Sequence, residues 1–134
     1  MFGLFGKAAS KDTLLQFLEE ANDVYIRAWE TRSISLLKNH FTVKGARGIG
    51  TWIVQEASSR YFCDKKFRDV EWTQLERTDN FAKYRLVCTF RSQKLLLSGK
   101  SMKLSDDYAE IWNILIDGKS YRVDYVYYDE GYKV

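Results

Sequence analysis

The chain has 134 residues, 46 % apolar and 29 % charged, which suits a single domain with its own core. Its net charge is only +3. The excess lies in residues 1–67, with 10 basic against 7 acidic side chains and no basic run, which excludes a disordered tail and nucleic-acid binding by phosphate neutralisation. Proline is absent, which excludes polyproline recognition segments, while 4 Trp, 9 Tyr and 8 Phe make the chain rich in aromatics.

Residues 1–10 read as a tail before a single α+β domain over 11–134. Phe2, Leu4 and Phe5 stand beside two glycines there, either docking on the domain or making a weak membrane-surface contact. The spacing of Leu14, Phe17, Leu18, Ala21, Val24, Tyr25 and Ala28 predicts an amphipathic helix over 11–30, with Ser10 or Asp12 as its cap. Trp29 extends its apolar stripe. Ser33 then precedes a short second helix with Leu36, Leu37 and Phe41 as its inner face. Three glycines within 43–50 predict a connector loop or a loosely wound helix start; the spacing matches neither the dinucleotide fingerprint nor the P-loop. A third helix follows over 51–59, with Trp52, Ile53 and Ala57 inside.

From Lys66 the apolar period changes to two. Strands are expected over 66–77, 81–91, 107–116 and 120–129, joined without helices and therefore antiparallel. In the second, Ala82, Tyr84, Leu86 and Cys88 share a face. Asp117-Gly118 marks a hairpin turn. In the fourth, strict alternation places Tyr121, Val123, Tyr125 and Tyr127 on one face and Arg122, Asp124 and Val126 on the other. Residues 92–105 either lengthen the middle strands into a hairpin arm, with Leu95 and Leu97 meeting a partner, or fold the leucines back onto the core.

Three helices followed by a four-stranded meander resemble the nuclear-transport-factor-2-like superfamily. Glu110-Ile111-Trp112-Asn113-Ile114, the Asp117-Gly118 turn, Tyr121-Arg122-Val123-Asp124-Tyr125 and Val70-Glu71-Trp72 are similar to one branch of it. That branch holds the C-terminal domain of the mitochondrial import-motor membrane anchor and its bacterial relatives. The resemblance spans roughly residues 11–129. It implies a cone: helices wrapped by a curved sheet, with a cavity between the long helix and the concave face, and often a homodimer.

Such a shell hosts enzymes and passive binders alike, so the residues must decide. Trp29, Trp52, Tyr84, Glu110, Trp112 and Asp124 are the candidate lining of an aromatic cavity for a small hydrophobic ligand or a partner peptide. Asp124 is either a pocket acid or half of a cross-strand ion pair. Leu95, Leu97, Tyr121, Tyr125 and Tyr127 are the candidate dimer or partner contacts. The expected function is a non-catalytic binding module. The alternative is an isomerase or lyase acting through Asp124, Glu110 or the lone histidine, His40. Cys63, Cys88 and His40 form no metal-ligand pattern, so neither metal nor cofactor is expected. No segment has the length and apolarity of a membrane span or a signal peptide core, and a cytoplasmic location is expected.

Overall fold

Helix α1 (Thr13–Thr31) forms where the apolar spacing requires it. The computed structural model describes residues 12–58, 66–95 and 101–130. The 1–10 tail with Phe2, Leu4 and Phe5, together with Ser10, Cys63 and Leu97, lies outside them. Asp12 caps α1, its carboxylate accepting from the Leu14 amide at 3.0 Å. Leu14, Leu18, Ala21, Tyr25 and Ala28 follow at steps of three and four, and all are fully enclosed. Each large apolar side chain so buried contributes about 1.5–3 kcal/mol. Arg32 ends the helix at φ 59°, in the left-handed region, and its guanidinium Nη1 donates to the Trp29 carbonyl.

The expected second helix is a single 3₁₀ turn, Ile34–Leu37. Leu37 is buried, but Leu36 is 39 % exposed rather than part of an inner face. With three residues per turn, successive side chains diverge too widely for both leucines to face the core. Of the two expectations for the glycine stretch, the helix start holds and the loop does not. Helix α2 (Val43–Ser58) runs through all of 43–50 instead of starting at residue 51. Thr42 explains its start: its hydroxyl oxygen accepts from the Gly45 amide at 3.0 Å, satisfying an orphan donor of the first turn.

The four strands are β1 (Lys66–Arg77), β2 (Phe81–Leu95), β3 (Ser101–Asp117) and β4 (Ser120–Tyr128). They form an open antiparallel sheet in the order β1-β2-β3-β4. Alternation in β2 holds, with Ala82, Tyr84, Leu86 and Cys88 all buried. β2 and β3 stay paired from Phe81↔Leu115 to Leu95↔Ser101, so residues 92–95 and 101–106 do extend the hairpin. Gly118 takes φ 61° in the two-residue turn between β3 and β4.

β4 departs from strict alternation. Its register slips between Asn113 and Ile114, because Tyr125 faces Asn113 while Val123 faces Ile114. Asp124 is the extra residue of a bulge. Val123 and Val126 are therefore both buried, and Tyr125 and Tyr127 leave the face that Val123 occupies. The outer edge of β4 is covered by residues 40–42. Val123 donates to the His40 carbonyl at 2.7 Å, and Thr42 donates to the Val123 carbonyl at 2.9 Å.

Candidate functional site

On β3 the inward side chains are Glu110, Trp112 and Ile114, all 0 % exposed. Glu110 is a carboxylate where a sheet face normally carries an apolar group, and burial without partners is costly. Both its oxygens are occupied. The Tyr25 hydroxyl of α1 donates to Oε2 at 2.7 Å, and the Trp112 indole Nε1 donates to Oε1 at 3.1 Å. Burial, then the charge and hydrogen bond of Glu110, push the Tyr25 hydroxyl well above its ordinary value of 10.0. The arrangement ties helix to sheet.

Aromatic rings surround this tie. Trp112 meets Tyr25 edge-on at 5.3 Å and Trp72 at 5.1 Å, and Phe41 lies 5.9 Å away. Trp29 is buried and meets Trp52 edge-on at 5.5 Å. Tyr84 lies 6.4 Å from Trp72 and donates to Gln74 Oε1 at 2.9 Å. Burial, then the charge of Asp12, raise its hydroxyl above 10.0, against a lowering by Arg77. Five of the six expected cavity residues thus belong to one connected aromatic body. Trp29, Tyr84, Glu110 and Trp112 are packed core groups, and Trp52 is half-exposed at its edge.

Asp124 stands apart. At the bulge it accepts from the Thr42 hydroxyl at 3.0 Å and pairs with Lys44 Nζ at 3.0 Å. Its ion pair reaches a helix, not a neighbouring strand, and joins the α2 cap to β4. Tyr121 exchanges a hydrogen bond with Thr13 at 2.8 Å and packs on Phe17. Tyr125 and Tyr127 lie side by side at 5.4 Å, with Tyr125 44 % exposed. Leu95 is placed at the far end of the β2–β3 hairpin, paired with Ser101.

Among the described residues, three open grooves mark the surface. One, of about 450 Å³, runs between α2 and β4 past Gly48, Trp52, Tyr125 and Tyr127. A second, of about 590 Å³, runs on the other flank of α2 past Arg32, Ile34, Arg47 and Val54. The third, of about 380 Å³, holds His40, Glu20, Lys119 and Tyr121. His40 Nε2 lies 3.9 Å from Glu20 Oε1, beyond hydrogen-bond reach, while its Nδ1 is buried with no hydrogen-bond partner. No cluster of His, Cys, Asp and Glu able to hold a metal occurs among the described residues. No helix among them is long and apolar enough to cross a membrane.

Sequence reasoning missed Tyr25 as the partner of Glu110, since an inward tyrosine in an apolar stripe reads as packing. It also missed Thr42, although a threonine directly before an apolar residue is a capping signal.

No protein-family model and no curated protein matches the chain. Solved structures do. The intermembrane space region of the chloroplast protein ARC6 matches with a TM-score of 0.66 at 8 % identity, over 89 % of this chain and 97 % of that one. Rv3472 of Mycobacterium tuberculosis, described as a protein of unknown function, matches with a TM-score of 0.57 at 11 % identity, over 86 % and 70 %. A periplasmic fragment of TraM matches with a TM-score of 0.53 at 11 % identity, over 88 % and 96 %. At these identities the likeness is one of fold.

Proposed function

We propose that the chain is a nuclear-transport-factor-2-like domain serving as a non-catalytic module that binds a partner polypeptide on its outer surface. The observation that carries this reading is the enclosure of Glu110. An acid that works on a substrate must reach it within hydrogen-bond distance. Glu110 is instead 0 % exposed, with both oxygens engaged by Tyr25 and Trp112. The aromatic side chains expected to line a cavity pack on one another, whereas apolar groups stand exposed on both flanks of α2, among them Val54 at 65 % and Tyr125 at 44 %. The element order and the Glu110-Ile111-Trp112 motif support the superfamily and its import-motor-anchor branch.

Native mass spectrometry of the purified chain, next to its denatured mass, tests the reading. The expected result is polypeptide mass alone, as monomer or homodimer. Extra mass of a small molecule that denaturation releases overturns it.

A lyase or isomerase is the second reading, and the groove of His40, Glu20, Lys119 and Tyr121 is the observation that favours it. It requires that His40→Ala abolish a turnover the native chain shows on a panel of small hydroxy- and keto-compounds. Equal turnover by both proteins sinks it.

A further inference from the structure

The geometry points to the groove between the 3₁₀ turn and α2 as the docking site for an apolar segment of a partner protein that carries an Asp or Glu side chain. This rests on the binding-module reading and names the site and the partner chemistry.

The floor and walls are aliphatic. Ile34 and Val54 are 37 % and 65 % exposed, and Ile53 lies beneath them. Gly50 sets how near the 3₁₀ turn sits to α2, since a Cβ there would meet the Ile34 side chain at 3.3 Å. A side chain at residue 50 would require the Ile34 side chain to give by a few tenths of an ångström.

Among the described residues, the charge at the groove is of one sign: Arg32 and Arg47 line it, and no acidic residue does. Arg32 is held in place by its hydrogen bond to the Trp29 carbonyl. Arg47 is exposed and forms no ion pair among the described residues. No described residue balances this guanidinium with an ion pair. A carboxylate would, because the guanidinium fork matches its two oxygens.

An acyl chain with a carboxylate head shares this chemistry. The groove is open along its length, however, and a small molecule lying in it would keep much of its surface in water, unlike ligands of enclosed sites. A polypeptide brings its own flanking surface to cover the exposed aliphatic side chains. The chemistry therefore favours a protein segment.

The test is selection of a phage-displayed random dodecapeptide library on the immobilised full-length chain. Enriched peptides are then assayed against wild type, Arg47→Glu, Val54→Asp and Tyr125→Ala. All three positions are exposed, and circular dichroism melts verify that each variant folds. The expected result is enrichment of peptides joining Asp or Glu to Leu, Ile, Val or Phe. Their affinity falls about tenfold or more with Arg47→Glu and Val54→Asp, and less than about twofold with Tyr125→Ala. Enriched peptides that lack acidic residues, or that lose binding only with Tyr125→Ala, overturn the inference and leave the binding-module reading standing. Displacement of enriched peptides by oleate at lower concentration than the free peptide needs assigns the groove to a lipid and also overturns it. A homodimer that Val54→Asp dissolves makes the occupant a second copy, with the same consequence. Failure to enrich any peptide overturns the inference, while the native mass spectrum decides the reading beneath it.

Discussion

Tyr25 and Glu110 stand 85 residues apart in sequence and meet at 2.7 Å. Hydrogen bonds to a charged group contribute about 1.5–3 kcal/mol each, and Tyr25→Phe is expected to cost that much, because it leaves a buried carboxylate oxygen without its donor. The same tyrosine sets an alkaline limit. Its hydroxyl is held well above 10.0 in the folded chain and titrates near that value when unfolded. Above about pH 10 the unfolded state therefore binds fewer protons, so stability falls with rising pH. The contribution is complete below about pH 10 and is lost as pH rises through the raised value. Urea unfolding at about pH 8 and about pH 11 reads this directly: wild type loses more stability across the interval than Tyr25→Phe does. An equal loss in both proteins would count against the buried tyrosine. At this scale the sequence was partly legible. Alternation put Glu110 and Trp112 on one side of β3, yet no local signal says that a tyrosine on a distant helix reaches the acid.

The first two turns of one helix show how elements resolve ambiguous residues. Glycines within 43–50 read as a loop or a loosely wound helix start because glycine disfavours helix by about 1 kcal/mol relative to alanine. In the fold they differ. A Cβ at Gly45 would lie 2.6 Å from the Val123 carbonyl oxygen, so the close approach of α2 to the β4 bulge demands glycine. At Gly48 a Cβ would have only the Tyr125 ring in reach, at 4.0 Å. Thermal melts should therefore move in opposite directions. Gly45→Ala is destabilising by about 1–3 kcal/mol through overpacking, and Gly48→Ala is stabilising by about 0.5–1 kcal/mol through helix propensity. Two shifts of the same sign would contradict this packing of α2 on β4. The β4 bulge was hidden for the same reason. Strict alternation assigned Tyr125 to the face of Val123, but Thr42, Lys44 and the bridge from Phe41 hold Asp124 out of register. Helix α1 and strand β2 as far as Arg91 were legible because each repeats one spacing over many residues. The start of α2 and the face of Tyr125 depend on contacts that no local pattern encodes.

Across the described residues, the helical layer and the sheet meet around a buried acid, among aromatic side chains that pack on one another. Under the proposed function, the exposed apolar and basic groups on α2 are the surface a partner would meet. This division predicts that Glu110 belongs to stability: removal of a working site acid commonly leaves a protein as stable as before or more so, whereas removal of a core tie weakens it. A double-mutant cycle of Tyr25→Phe and Glu110→Leu, read by denaturant unfolding at neutral pH, tests this most directly. The predicted result is a destabilised Tyr25→Phe variant, a near-zero effect of that same change once Glu110 is leucine, and a coupling energy of about 1–3 kcal/mol. Single effects that add within about 0.5 kcal/mol, or variants at least as stable as wild type, would contradict the account.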